Sequence, residues 1–133
     1  MTAVFPAEYA RRYAHAQITS VDRGRLLLLV LEGGQTYLAR ARAALDAGDL
    51  ARFAHERRRA QDVIAELLQT LDHAAGGEIA ANLARLYAFM LEHLTAANVE
   101  QSARHIDEVL RAYAPIVDAY RAVLARPPAG ERS

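Results

Sequence analysis

The side chains able to do chemistry are few and scattered. The histidines are His15, His55, His73, His93 and His105, and there is no cysteine. That absence removes a disulfide scaffold, a thiolate zinc site and a cysteine nucleophile together. A di-iron centre in a helical protein needs Glu-x-x-His on two helices and further inward glutamates. No Glu-x-x-His occurs; His105 and Glu108 are three apart in the reverse order and stand alone. No metal is expected. A phosphorelay needs an exposed histidine with a basic neighbour, and His55 beside Arg57, Arg58 and Arg59 has that composition. A histidine on a charged helix face is more often simply solvated. No Gly-x-Ser-x-Gly elbow occurs, and no phosphate-cradling glycine loop precedes a helix. Gly76-Gly77-Glu78 opens a helical pattern where free amides could take an anion. Glu78 already complements the helix dipole there, so a tight loop is the better reading. Neither catalysis nor a cofactor is expected.

The elements that would have to position such groups are helices. Between the punctuation at Gly48-Asp49, Gly76-Gly77 and Asn98–Ser102 the apolar residues recur every three or four positions, never every second one. A first long segment, 22–46, carries Leu27, Leu31, Gly34, Leu38, Ala41 and Leu45, with Asp22 as the expected N-cap. A second, 49–71, carries Leu50, Phe53, Ala60, Ile64, Leu67 and Leu71, with Arg57 interrupting the stripe. A third starts near Gly77 and carries Ile79, Leu83, Leu86, Met90, Leu94 and Ala97. A fourth starts at Ser102 and carries Ile106, Leu110, Tyr113, Val117, Tyr120 and Leu124. A short helix is expected over 7–16. Gly33-Gly34, inside the first stripe, reads as close helix packing. Pro115 lies off the stripe of the last segment, where it predicts a kink on an exposed face.

Four such stripes joined by short loops specify an all-α fold: an antiparallel up-and-down four-helix bundle with a short N-terminal helix or cap segment. The domain division is a cap over 1–21, the bundle over 22–125 and a disordered tail over 126–133. At 133 residues the chain makes one domain.

Charge and hydropathy narrow the class of partner. Sixteen basic residues, all arginine, balance sixteen acidic ones. Zero net charge argues against general binding to nucleic acid or anionic membranes. The Arg57–Arg59 cluster is diluted by Glu56, Asp62 and Glu66, so it reads as a solvated face. The N-terminal residues show no charged start followed by an apolar stretch. The longest aliphatic run, Leu26 to Leu31, rises only about 9 Å as a helix against a hydrocarbon core of about 30 Å. No membrane insertion is expected, and a cytoplasmic location follows as the default. What remains is an apolar surplus: Val63 and Leu68 beside Ile64 and Leu67, and Tyr87 and Leu91 beside Leu86 and Met90. It makes either a wide core or a groove for a partner helix.

Several blocks of residues then resemble one family in order and spacing. They are Tyr13 with Ile18; Leu26-Leu27-Leu28-Leu29-Val30-Leu31-Glu32-Gly33; Arg59-Ala60-Gln61-Asp62-Val63-Ile64-Ala65-Glu66-Leu67; and Gly76-Gly77-Glu78-Ile79-Ala80, continuing through Asn82-Leu83, Leu86-Tyr87 and Phe89-Met90 to Ala97-Asn98. Asp118-Ala119-Tyr120 closes the series. Together they resemble the FliS family of flagellar export chaperones. Arg23, Leu31 and Tyr120 stand where that family has proline, tyrosine and tryptophan. The resemblance implies a non-enzymatic bundle in the bacterial cytosol that holds the disordered C-terminal region of flagellin as helices in apolar grooves. It would prevent polymerisation before type III export. Components of the export apparatus are possible further partners, and a monomer or weak homodimer is implied. Tyr13, Ile18, Ala60, Gln61, Ile64, Leu68, Asn82, Leu86, Tyr87 and Met90 are the flagellin-binding residues the resemblance points to. Gln61 and Asn82 would serve binding there or make helix-to-helix polar contacts, not catalysis. Tyr13 and Ile18 would form a detachable cover over a groove near the first long helix. The alternatives are a histidine phosphotransfer bundle using His55 or His93, and a general helical adaptor.

Overall fold

The computed structural model describes residues 7–18 and 20–125. The proposed tail over 126–133 lies outside the described residues, as do residues 1–6 and Thr19 of the cap segment. The described residues form five helices: α1 (Ala7–Gln17), α2 (Val21–Asp46), α3 (Leu50–Gln69), α4 (His73–Glu100) and α5 (Ala103–Ala125). No strand occurs among them.

Each helix starts and stops where the local chemistry dictates. Ser20, in an extended conformation, accepts the Arg23 amide at 3.2 Å and caps α2. The expected cap, Asp22, is already inside the helix, where its charge favours the first turn. At the other end Gly48, at φ 72°, makes a Schellman turn. Its amide bonds Leu45 O at 3.2 Å, and the Asp49 amide bonds Ala44 O at 2.9 Å. Asp49 then caps α3 by accepting the Arg52 amide at 3.1 Å. One residue thus ends one helix and starts the next. The third segment breaks at Gly77, whose φ of 51° and ψ of −122° separate a single first turn from the long regular part of α4. α4 and α5 are joined through Gln101, at φ 53°, and Ser102.

α2 packs on α3 and α5, and α4 packs on the same two, so the four long helices close a ring. Cross-helix ion pairs show the direction of α2 against α5. Arg42 Nε meets Asp107 at 2.7 Å, and Arg121 Nη2 meets Glu32 at 2.7 Å. Early residues of one helix thus face late residues of the other. Leu31, Leu38, Phe53, Ile64, Leu83, Met90, Leu94, Ile106 and Val117 fill the centre. A Cβ on Gly34 would collide with the Tyr113 hydroxyl and come within 3.0 Å of Val63 Cγ1. The absent side chain lets that hydroxyl donate to Leu31 O at 2.7 Å. α5 continues as one helix through Pro115, which is half-buried and not on an exposed face as expected. Tyr113, Ile116, Val117 and Tyr120 anchor it in the core on both sides of the proline. No helix among the described residues is long and apolar enough to cross a membrane.

Candidate functional site

α1 stands outside the ring and lies along α4 and α5. It is amphipathic. Ala10, Tyr13 and Ala14 are buried, as is Ile18 just beyond its end, while Glu8, Arg11, Arg12 and His15 are exposed. The surface it covers is rich in tyrosine. The phenols of Tyr87, Tyr113 and Tyr120 are raised above the usual tyrosine range, chiefly by burial. Tyr13 acts on Tyr87 and Tyr120, whereas the Tyr113 hydroxyl turns to Leu31 of α2.

Directional contacts tie the cover to the bundle. The Tyr13 hydroxyl accepts the Asp72 amide at 2.9 Å, tying α1 to the α3–α4 connection. The Tyr120 hydroxyl donates to Gln17 Oε1. Ile18 rests against Gly24, where an added Cβ would come within 2.6 Å of Leu124 Cδ2 and 2.9 Å of Ile18 Cγ2. The cover is incomplete. A cleft of about 380 Å³ opens beside α1, lined by Tyr9, Arg12, Glu78, Ile79 and Asn82. Another of about 710 Å³ separates Arg11 and His15 from Ala122 and Val123. A cover was expected near the first long helix; α1 packs on α4 and α5, and Ile18 beyond its end also meets α2 at Gly24.

The expected binding residues divide by position. Tyr13 and Ile18 belong to the cover, and Leu86, Tyr87 and Met90 are buried on α4. Ala60 and Ile64 are fully buried on α3, away from the surface. Leu68 is half-buried. Gln61 accepts a hydrogen bond from Arg57 within α3, and Asn82 accepts one from Arg85 within α4 at the rim of the smaller cleft.

The arginine cluster does not share one solvated face. Arg57 is buried and so is Glu56. Arg57 falls four after Phe53 and three before Ala60, on the core stripe, so its stem packs inward. Burial lowers its pKa, with a further push from the Arg58 charge. Arg59 instead lies over the Tyr37 ring, 5.7 Å from the centroid.

One surface was not anticipated. Leu26 and Leu29 on α2 are 65% and 64% exposed, and Val30 is 45% exposed. With Gly33, where an added Cβ would meet nothing, they make an uncovered apolar stripe. The sequence signal was present as the aliphatic run, but six apolar residues in succession cover every face of a helix.

Among the described residues the bundle thus presents one apolar surface covered by α1 and another left open on α2. A family described as flagellar protein FliS matches residues 6–127, and the chain belongs to that family. It is 33% identical over 102 residues to the flagellar secretion chaperone FliSB of Pseudomonas aeruginosa, covering 77% of this chain and 81% of that one. Against the flagellar secretion chaperone FliS of Salmonella typhimurium the identity is 31% over 116 residues, 86% of each chain. Against that of Campylobacter jejuni it is 31% over 111 residues, 84% of this chain and 87% of that one. The family is one of flagellar secretion chaperones, not enzymes.

Proposed function

We propose that this protein binds the disordered C-terminal region of flagellin in the bacterial cytosol and keeps it from polymerising before type III export. The observation that carries the reading is α1 itself. It is an 11-residue helix lying on an apolar, tyrosine-rich surface. Helices that short are marginal alone in water, so its order comes from the groove it occupies. A segment of flagellin folding as an amphipathic helix would take its place and would extend onto the open Leu26–Val30 stripe.

In this reading Tyr13 and Ile18 are the cover, and Leu86 and Tyr87 form the floor. Asn82 lies at the rim, and Gln61 and Leu68 on the half-buried edge of α3. Ala60, Ile64 and Met90 shape the surface from inside the core. Coupled folding has an ordering cost, which broad apolar contact offsets while leaving the complex reversible enough for release.

The test is calorimetry of the full chain with a flagellin C-terminal peptide at several temperatures, together with amide exchange of α1. A negative heat-capacity change, a gain in helix and loss of α1 protection are expected. Binding that leaves α1 protected would refute displacement, and absence of binding would refute the function.

A further inference from the structure

At the end of the bundle away from α1, two histidines meet. His93 Nδ1 and His105 Nδ1 are 2.8 Å apart, across α4 and α5. The ring centroids are 5.0 Å apart, and the His93 ring packs edge-on against Phe89 at 4.3 Å. His105 is buried and His93 half-buried. His105 Nε2 lies 3.3 Å from Glu100 Oε1, close enough for an ion pair but without hydrogen-bond alignment. Only Gln101 and Ser102 separate the two helices, and the Gln101 amide closes on Ala97 O at 2.7 Å.

We infer that the His93–His105 pair is a proton-operated latch that fastens the α4–α5 end of the bundle and releases it on acidification. The contact needs one proton between two facing nitrogens. In the neutral pair one imidazole donates from Nδ1 and the other accepts. A single added proton leaves that bond intact, because it can reside on the far nitrogen of the donor ring. A second added proton makes both Nδ1 atoms donors, so the bond is lost and two cations face each other. The latch therefore survives the first protonation and fails at the second.

The surrounding charges act on His93 in a defined order. Burial lowers its pKa most, then the His105 ring; Glu108 of α5 and Glu92 of α4 oppose this, and Arg104 of α5 adds to it. The buried charges of α3, Glu56 and Arg57, are not among the groups that shift it. α1 lies at the other end of α4, against Glu78 and Asn82. Because the folded state holds His93 below the unfolded value of about 6.5, the unfolded chain binds the proton first as pH falls. Stability from this site is present above that pH and is lost as pH drops through the folded value. Among the described residues no third histidine or carboxylate is placed to complete a metal set around the pair.

The experiment follows imidazole resonances by nuclear magnetic resonance and amide exchange over 97–106 in the full chain, from pH 7.5 to 5. Exchange is corrected for its intrinsic pH dependence. Two coupled histidine steps are expected, with protection of the α4–α5 turn falling at least tenfold as the second proton binds. In His93→Phe, which keeps the ring packing but takes no proton, that fall should disappear. If the variant does not fold, the wild-type series decides alone: pH-independent protection, or two histidines titrating without coupling, overturns the latch. A fall of the same size in His93→Phe overturns it as well.

Discussion

The groove under α1 and the stripe on α2 are both apolar, yet one is covered and the other open. The covered surface is built from large buried side chains, Leu86, Tyr87 and Tyr120, and it has polar hydroxyls that need partners. Left bare it would be a contiguous sticky patch with unsatisfied groups. α1 answers both needs, with the small side chains Ala10 and Ala14 on its buried face and with Gln17 accepting from the Tyr120 hydroxyl. The open stripe is narrower. Leu26, Leu29 and Val30 have apolar side chains, and the stripe ends on the bare backbone at Gly33. On the proposed function the two divide the labour: α2 offers a permanent landing site, and a second site becomes available when α1 leaves.

The largest effect should come from the open surface. Replacing Leu26 and Leu29 together by aspartate removes two side chains worth about 1.5–3 kcal/mol each when buried. Flagellin affinity should fall at least about a hundredfold, a loss near 3 kcal/mol. The melting temperature should hold, because both residues are exposed in the free protein. Calorimetry beside thermal melting reads both, and unchanged affinity would remove α2 from the binding surface.

Gly34→Ala tests the core that both surfaces share. The added carbon collides with the Tyr113 hydroxyl and disturbs its bond to Leu31 O. Overpacking of this kind costs about 1–3 kcal/mol. Denaturant unfolding should show that loss, without any selective release of α1.

Deleting residues 1–18 should have the opposite sign on binding. If α1 closes its groove for about nine-tenths of the time, removing it raises apparent affinity about tenfold. Self-association of the free protein should rise with it, visible by sedimentation. A truncated chain that stays folded and cannot bind would show that α1 contributes contacts to flagellin and is not displaced by it.

The smallest effect is expected from Tyr13→Phe. It removes only the hydroxyl that accepts the Asp72 amide, a bond worth about 1 kcal/mol. Amide exchange in α1 should quicken roughly fivefold while the four long helices keep their protection. Equal quickening throughout would mean that α1 unfolds only with the whole molecule.

Much of this was legible in the residues. The stripes of α2 and α4 fall inside as their spacing requires, with Leu31, Gly34, Leu38 and Ala41 buried on one and Leu83, Leu86, Met90, Leu94 and Ala97 on the other. The helix over 7–16 is where the pattern put it, and Gly77, expected to open the third helix, interrupts α4 after a first turn that begins at His73. Other features needed neighbours. Ser20 and Asp22 are both good capping residues, and only the backbone conformation shows which one stands outside the helix. Arg57 occupies a core register, but whether its guanidinium escapes to solvent depends on the helices beside it.

By itself, then, the sequence determined that the chain is helical, how many long helices it forms and which residues of each seek the interior, because a 3.6-residue period leaves the apolar stripe little choice of partner face. It also carried the blocks that identify the family. The tertiary structure decided which apolar residues remain outside, which surface α1 covers, and that His93 and His105 share one contact. Leu26 and Leu31 are equally apolar, and five positions apart on a helix they point about 140° from each other. Only the placement of α3 and α5 against α2 makes one of them core and the other surface.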